Sequence, residues 1–355
     1  MKRVAFRSLL AAAIVAIAVV APVRAEEKSL LTADGTLYEI RSGRVADLGL
    51  AGSGLLPDDY VIEWAARTQD GSLRAGVVPG TQTRNPKGNL DLAYDQESAS
   101  LLLLWREDLS LLNVLQLGVF HEETWRISPL LPNLGFAHCF NPQMRLSHIR
   151  VRTTDAEGNT TSTNRSILSI IWWEEAQYAQ ARYAPIFLDE ENLDSSNVTA
   201  YDLPMLAGGG GSTSYENVPA GAYLFPSLHT DGPSGAILAS FADLHSQKNV
   251  VVRITFPTDL GTPDSSNITW MRRHIPIVGV VGEAPIATTA PVQISAMGTT
   301  IGTGYRPTFY WRDGNRLLYT RFDGREWASA KAIPLDETMS YERALSLVVG
   351  MAASN

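Results

Sequence analysis

The sequence predicts an all-β fold made of small antiparallel sheets that recur along the chain. In short runs along the chain, apolar and polar residues alternate with a period of two, which is typical of half-buried strands. Turns that contain Asp-Gly or Asn separate these runs, and glycine and asparagine accept the positive φ that tight hairpins need. Helical patterns are nearly absent, since residues 174–182 have a helix-forming composition but are short and lie between strand-like runs.

The first 25 residues predict a secretory signal peptide. Lys2, Arg3 and Arg7 give a positive start, residues 9–20 form an apolar run, and Val23-Arg24-Ala25 resembles a small-residue cleavage site. An uncleaved N-terminal anchor is the alternative, although the apolar run is short for a membrane span. We therefore expect a signal peptide at residues 1–25 and a single domain at residues 26–355, located outside the cell, in a periplasm or at a cell surface.

Charge and cysteine content narrow the classes of partner. The formal net charge is −8, and removal of the four basic residues of the signal peptide makes it −12. An acidic chain repels phosphate backbones, so nucleic acid is not an expected partner, and we expect a monomer. Cys139 is the only cysteine and lies among apolar residues, so an internal disulfide is excluded and a buried, unreactive thiol is expected.

The chain opens with a short hairpin at residues 30–50, with turns predicted at Asp34-Gly35 and Ser42-Gly43. Strands at residues 61–66 and 73–78 follow, and Asp70-Gly71 joins them. Four longer units follow, each with an apolar strand, a second strand, an aromatic residue and then a proline. The aromatic residues are Trp125, Tyr201, Trp270 and Trp327, at intervals of 76, 69 and 57 residues.

The last unit shows the pattern most clearly. Residues 307–311 form an apolar strand, Asp313-Gly314-Asn315 turns the chain, and residues 317–322 form a second strand. A second turn at Asp323-Gly324 precedes a strand that carries Trp327 and ends at Ile333-Pro334. The unit is therefore predicted to be a three-stranded meander. Residues 340–351 are either a short helix or the strand that closes the last sheet.

Recurrence of one small sheet at this interval predicts a β-propeller with six blades, with five or seven as alternatives. A β-sandwich is the competing architecture, because it also has evenly spaced short strands. In a closed ring, one terminus commonly supplies a strand to the other terminus's blade. Residues 38–40 and 345–349 are the segments expected to make this closure. The glycine-rich segment at residues 207–214 is expected to link two blades.

The Asp313-Gly314, Asp323-Gly324 and Trp327 pattern resembles the blade motifs of sialidase-like and fucose-lectin-like β-propellers. The resemblance extends loosely over residues 90–335 and implies the fold alone. Sialidases carry Asp boxes of the form Ser-x-Asp-x-Gly-x-Thr-Trp, whereas Asp323 and Gly324 are adjacent here. Their Arg-Ile-Pro motif is also absent near the mature N-terminus, and Arg273-His274-Ile275-Pro276 lies too late and carries an extra residue. No catalytic residue is therefore carried over.

Two groups of residues are candidates for ligand contact. Trp172 and Trp173 directly precede Glu174 and Glu175, which would place an acidic pair beside aromatic rings that can stack on sugars. Strand alternation offers another interpretation, in which the two tryptophans point to opposite faces and one packs between blades. The second group is Arg325, Glu326 and Trp327. The repeated tryptophans have an equally direct explanation as packing residues at equivalent positions.

No catalytic signature is present: the sequence has no Gly-x-Ser-x-Gly elbow, phosphate-binding loop or zinc-binding histidine pair. No cofactor or metal is expected, because the six histidines are scattered singly. The leading hypothesis is an exported, non-catalytic binding protein for a glycan or a protein ligand. The alternatives are a glycoside hydrolase or lyase, with carboxylates such as Glu63, Glu107 or Asp243 meeting across a sugar ring, and a structural interaction module of the cell envelope.

Overall fold

A computed structural model gives the fold of the chain. It describes residues 25–50, 53–109, 113–130, 138–155, 157–175, 179–188, 200–202, 223–231, 236–243, 248–256, 277–285, 297–302, 306–321 and 328–353. Within these residues the chain forms two compact units, and the boundary lies between Leu90 and Asp91. The predicted signal peptide lies outside the described residues. Among the helices described, none has the length and apolar character needed to cross a membrane.

The first unit contains a four-stranded antiparallel sheet, which we call sheet 1. Its strands follow chain order: β1 (Glu26–Leu31), β2 (Leu37–Arg44), β3 (Tyr60–Arg67) and β4 (Leu73–Val77). Strand β5 (Lys87–Asp95) crosses the boundary and belongs to the next sheet. The turn predicted at Ser42-Gly43 is absent, because β2 continues through both residues.

The second unit contains four further sheets of four antiparallel strands in chain order. Sheet 2 is formed by β5, β6 (Ser100–Asp108), β7 (Asn113–His121) and β8 (Thr124–Pro129). Sheet 3 is formed by β9 (His138–Thr154), β10 (Thr160–Glu175), β11 (Ala179–Phe187) and β12 (Tyr201–Asp202). Sheet 4 is formed by β13 (Tyr223–Asp231), β14 (Ala236–Asp243), β15 (Lys248–Thr255) and β16 (Ile277–Pro285). Sheet 5 is formed by β17 (Met297–Gly302), β18 (Arg306–Asp313), β19 (Arg316–Arg321) and β20 (Lys331–Pro334).

The predicted all-β class and the recurrence of a small antiparallel sheet are confirmed among the described residues. Each sheet has four strands rather than three, because a leading strand such as β17 precedes the predicted meander. The last strand of a sheet does not always carry the repeated aromatic residue. In sheet 4 it begins at Ile277, beyond Trp270, and in sheet 5 it begins at Lys331, beyond Trp327. Both tryptophans lie outside the described residues.

Sheet 3 is buried on both faces, because alternate residues of its strands enter two separate clusters. On β10, Leu168, Ile170 and Trp172 pack with Leu102, Leu104 and Leu117 of sheet 2. Ile167 and Ile171 point the other way and pack with sheet 4, whose contribution includes Leu228, Ile237 and Val252. Strand alternation therefore places sheet 3 between its two sequence neighbours. The face-to-face packing of consecutive sheets is a direct consequence of this pattern.

The described part of the C-terminal segment is a helix, α1 (Tyr341–Ala353), so residues 345–349 do not form a closing strand. Ser340 caps this helix, since its Oγ accepts the backbone N–H of Arg343 at 3.2 Å. Ala344 and Val348 are spaced by four residues and fully buried, and they pack with Leu317 of β19. The helix therefore covers one face of sheet 5.

Candidate ligand-binding site

The predicted aromatic and acidic group on β10 lies in two different settings. Trp172 is fully buried and Glu174 is 7% exposed, so both belong to the packing between sheets 2 and 3. Residues 173 and 175 are part of β10, but their side chains lie outside the described part of the structure. The second group, Arg325, Glu326 and Trp327, lies wholly outside the described residues. Among the candidate residues whose side chains the structure describes, Trp172 and Glu174 lie together.

Trp172 and Glu174 belong to a buried polar cluster near Cys139. The side chains of Glu174 and Arg182 are 9% and 7% exposed, and Arg182 Nε lies 3.4 Å from Glu174 Oε2. Burial and the negative charge of Glu174 raise the pKa of the Cys139 thiol to about 12, although Arg106 and Arg182 act in the opposite direction. The thiol is therefore protonated and unreactive at neutral pH, as the sequence predicts.

A shallow cavity of about 180 Å³ lies on one face of sheet 1. It is lined by Glu27, Glu39, Arg41, Glu63, Trp64 and Ala65. The strand register explains why these residues meet, because directly paired residues of an antiparallel sheet share a face. Glu27 pairs with Arg41, which in turn pairs with Glu63. One row of side chains thus crosses three strands, and Glu39 lies in the next row, between Ser29 and Ala65.

Arg41 and Glu63 form the fixed part of the cavity. The guanidinium Nη2 of Arg41 donates to Glu63 Oε2 at 2.5 Å, and the two side chains are 44% and 19% exposed. Glu27 and Glu39 have no ion-pair or hydrogen-bond partner among the residues that the structure describes. Three carboxylates and one guanidinium give the lining a formal charge of −2. The cavity therefore offers free carboxylate oxygens beside a guanidinium that is held in place.

The indole of Trp64 lies on the opposite face of β3. Trp64 pairs with Gly76, and a Cβ atom built on Gly76 would lie 3.3 Å from the indole Nε1. The even-numbered residues Ile40 and Ile62 are buried on that face as well. Trp64 therefore contributes backbone atoms to the cavity rather than its indole. The polar side chains determine what the cavity can bind. Among the described residues, no group of histidine, cysteine and carboxylate side chains could hold a metal ion.

Sequence reasoning named Glu63 as one of several carboxylates but missed Glu27, Glu39 and Arg41. The available signal was the presence of at least one charged residue on each of three successive strands, on the face opposite Ile40 and Ile62. Which charges meet depends on the register between β1, β2 and β3. The sequence pattern does not define that register, because the connection from β2 to β3 is long.

No protein-family model matches the chain, and no curated protein matches it. Solved structures that resemble it include a mutant lectin from Aleuria aurantia in complex with alpha-methyl-L-fucoside, with 13% identity, a TM-score of 0.41, and coverage of 90% of this chain and 80% of that chain. A protein of unknown function from Dyadobacter fermentans has 8% identity, a TM-score of 0.43, and coverage of 88% and 82%. An intramolecular trans-sialidase from Ruminococcus gnavus in complex with oseltamivir carboxylate has 10% identity, a TM-score of 0.30, and coverage of 88% and 71%.

A lectin and a trans-sialidase are therefore among the structural neighbours, as the sequence resemblance implied at the level of fold.

Proposed function

We propose that this chain is an exported, non-catalytic β-propeller that binds a glycan in the cavity of sheet 1. Five successive four-stranded meanders support the propeller, as does the burial of sheet 3 between its sequence neighbours. Five sheets among the described residues favour five blades, the lower end of the range that the sequence predicts. The signal peptide predicted at residues 1–25 would direct the chain out of the cell, to a periplasm or to a cell surface. The proposed oligomeric state is a monomer.

The single observation that carries the function is the arrangement of Arg41, Glu63, Glu27 and Glu39 around one cavity. Sugar hydroxyls donate to carboxylates and accept from guanidinium N–H groups, and such charge-assisted hydrogen bonds are stronger than neutral ones. The pairing with Glu63 holds Arg41, so less side-chain entropy is lost when a ligand binds. The formal charge of −2 favours neutral or amine-bearing sugars over sialic or uronic acids.

The test compares Arg41→Gln with Arg44→Gln in the mature protein. Arg44 is a matched control because it lies on the same strand and is also exposed and ion-paired, with Asp47 at 2.9 Å, but does not line the cavity. We expect a glycan array to identify neutral or amine-bearing ligands. Calorimetry should then show at least about a tenfold loss of affinity for Arg41→Gln and no loss for Arg44→Gln. Equal affinities for the two variants, with unchanged thermal midpoints, would refute this site.

A glycoside hydrolase is the second candidate, because three carboxylates line the same cavity. Such enzymes need two carboxyl groups on either side of a glycosidic bond. Release of reducing ends from a bound oligosaccharide, abolished by Glu39→Gln, would favour hydrolysis over simple binding. If neither binding nor turnover is found and one envelope protein is recovered with the chain, the interaction module becomes the better hypothesis.

A further inference from the structure

We propose a second binding surface, independent of the cavity, on the hairpin formed by β9 and β10. This hairpin extends beyond the rest of sheet 3. Strand β11 pairs with β10 only from Ile167 onward, whereas residues 160–166 of β10 pair with β9 alone. The outer part of the hairpin is therefore a two-stranded ribbon, which we call the ribbon, running from the His148–Ser166 pair to the Thr154–Thr160 pair.

The two faces of the ribbon differ in burial. Ile149 and Val151 are 6% and 2% exposed and belong to the cluster with sheet 4. Arg150 and Arg152 alternate with them and are exposed. Across the strand, Arg150 pairs with Asn164, which is also exposed. One face of the ribbon is therefore anchored to the core, and the other presents polar and basic side chains to solvent.

Arg150 and Arg152 have no ion-pair or hydrogen-bond partner within the part of the chain that the structure describes. Asp95, Glu97 and Asp155 are carboxylates near the ribbon that are engaged at its two ends. At its base, Glu97 accepts from Asn164 Nδ2 at 3.4 Å and lies 3.8 Å from His148 Nδ1, and Asp95 lies 3.9 Å from His148 Nε2. At its tip, Asp155 accepts two hydrogen bonds from Asn159, at 2.7 and 2.9 Å.

This arrangement selects an anionic partner. Two residues apart on a strand, the Cα atoms of Arg150 and Arg152 are about 7 Å apart. Each guanidinium can bind a carboxylate or sulfate through two parallel hydrogen bonds. The hydroxyl of Ser162, which pairs with Arg152, and the amide of Asn164 add neutral hydrogen-bonding groups across the strand. The partner that fits is a polysaccharide with repeated carboxylate or sulfate groups.

Nucleic acid has the same anionic character but fits less well. The face of the ribbon that carries Arg150 and Arg152 has no phenylalanine, tyrosine or tryptophan ring on which a base could stack. The residues of that face are His148, Arg150, Arg152, Thr154, Thr160, Ser162, Asn164 and Ser166. A single-stranded oligonucleotide is therefore the competing probe in the test.

The experiment measures binding of dextran sulfate, polygalacturonate, neutral dextran and a single-stranded oligonucleotide to the full mature chain at low salt. We compare Arg150→Gln/Arg152→Gln with Arg74→Gln/Arg343→Gln, which makes the same change in net charge at exposed positions on β4 and α1. We expect the ribbon variant to lose at least about tenfold in affinity for the better of the two anionic polysaccharides, and the control to stay within about twofold.

Dextran sulfate and polygalacturonate distinguish sulfate from carboxylate as the recognised group, and neutral dextran should not bind. Equal losses in the two double variants would show general charge attraction and overturn the proposal. Absence of binding to both anionic polysaccharides, or tighter binding of the oligonucleotide, would overturn it as well. The ribbon and the cavity of sheet 1 share no residue, so Arg41→Gln is expected to leave binding of the polyanions unchanged. Failure of the proposed glycan site would therefore leave this test intact.

Discussion

The indole Nε1–H of Trp172 donates to the carboxylate of Glu174 at 3.3 Å, within the packing between sheets 2 and 3. The same carboxylate oxygen lies 3.4 Å from Nε of Arg182. A buried carboxylate thus has an indole N–H and a guanidinium as neighbours. Trp172 and Glu174, two of the four residues that suggested a sugar-binding surface in the sequence, are here a polar element of the core.

Replacement of Glu174 should destabilise the fold strongly. Glu174→Leu leaves the Arg182 guanidinium without its carboxylate, and breaking a buried ion pair from one side costs about 3–5 kcal/mol. The double variant Glu174→Leu/Arg182→Met removes both charges and should recover much of the lost free energy of unfolding. Urea denaturation followed by tryptophan fluorescence measures both. A double variant less stable than Glu174→Leu would contradict this account of the pair.

Gly118 of β7 should not tolerate a side chain. A Cβ atom at this position would lie 3.1 Å from a ring carbon of Trp125 and 3.2 Å from one of Trp105. Trp105 is 1% exposed and has little room to move. We expect Gly118→Ala to lower the free energy of unfolding by about 1–3 kcal/mol. Gly350→Ala is the control, because open space surrounds that helical position and alanine favours a helix. Equal stability of the two variants would mean that the rings of Trp105 and Trp125 move to accommodate the added methyl group.

The Cys139 thiol should resist modification in the folded protein. Its pKa is raised to about 12, so at pH 8 roughly one molecule in 10⁴ carries a thiolate. Burial also blocks the reagent, since Cys139 is 3% exposed. Reaction with Ellman's reagent at pH 8 should therefore be slow without denaturant. It should be complete within minutes in about 6 M guanidinium chloride, which unfolds most stable domains. Rapid labelling of the folded chain would show that the thiol opens to solvent.

Sheet 1 should become less stable in acid, because the aspartates in its turns become protonated. The hydroxyl of Thr68 and the backbone N–H of Ser72 lower the pKa of Asp70 to about 2, and the Thr32 hydroxyl lowers that of Asp34 in the same way. Since the pKa of Asp70 is lower in the folded chain than the unfolded value of about 3.9, its contribution is complete above pH 4 and lost as the pH falls to about 2. Asp70→Asn should therefore lower the thermal midpoint at pH 6 and have little effect at pH 2. A constant difference across this range would exclude the carboxylate as the cause.

The meander architecture could be predicted because it depends on local chemistry. Asp34-Gly35 and Asp70-Gly71 form turns with positive φ at the glycines, and alternation along β10 anticipated that Trp172 could pack between sheets. The fourth strand was harder to place. The proline after each aromatic residue suggested where a unit ends, but β16 and β20 begin beyond Trp270 and Trp327. An aromatic residue before a proline does not define a strand when the connecting segment is long.

The cavity could not be predicted, because its residues are far apart in the sequence. Glu27, Arg41 and Glu63 meet only through two strand registers. A shift of one residue in either register would move one of these side chains to the other face. The ribbon was equally hidden, since its exposed arginines alternate with Ile149 and Val151 in what the sequence presents as an ordinary strand. Only the burial of alternate residues distinguishes the two faces.

Helix α1 follows the last strand of sheet 5 in the chain and covers one of its faces. Without α1, the apolar surface around Leu317, Tyr310 and Tyr319 would be in contact with water. A premature stop codon after Pro334 would leave that surface permanently open and prone to aggregation. A tag fused after α1 therefore needs a spacer that leaves the packing of Ala344 and Val348 on sheet 5 undisturbed.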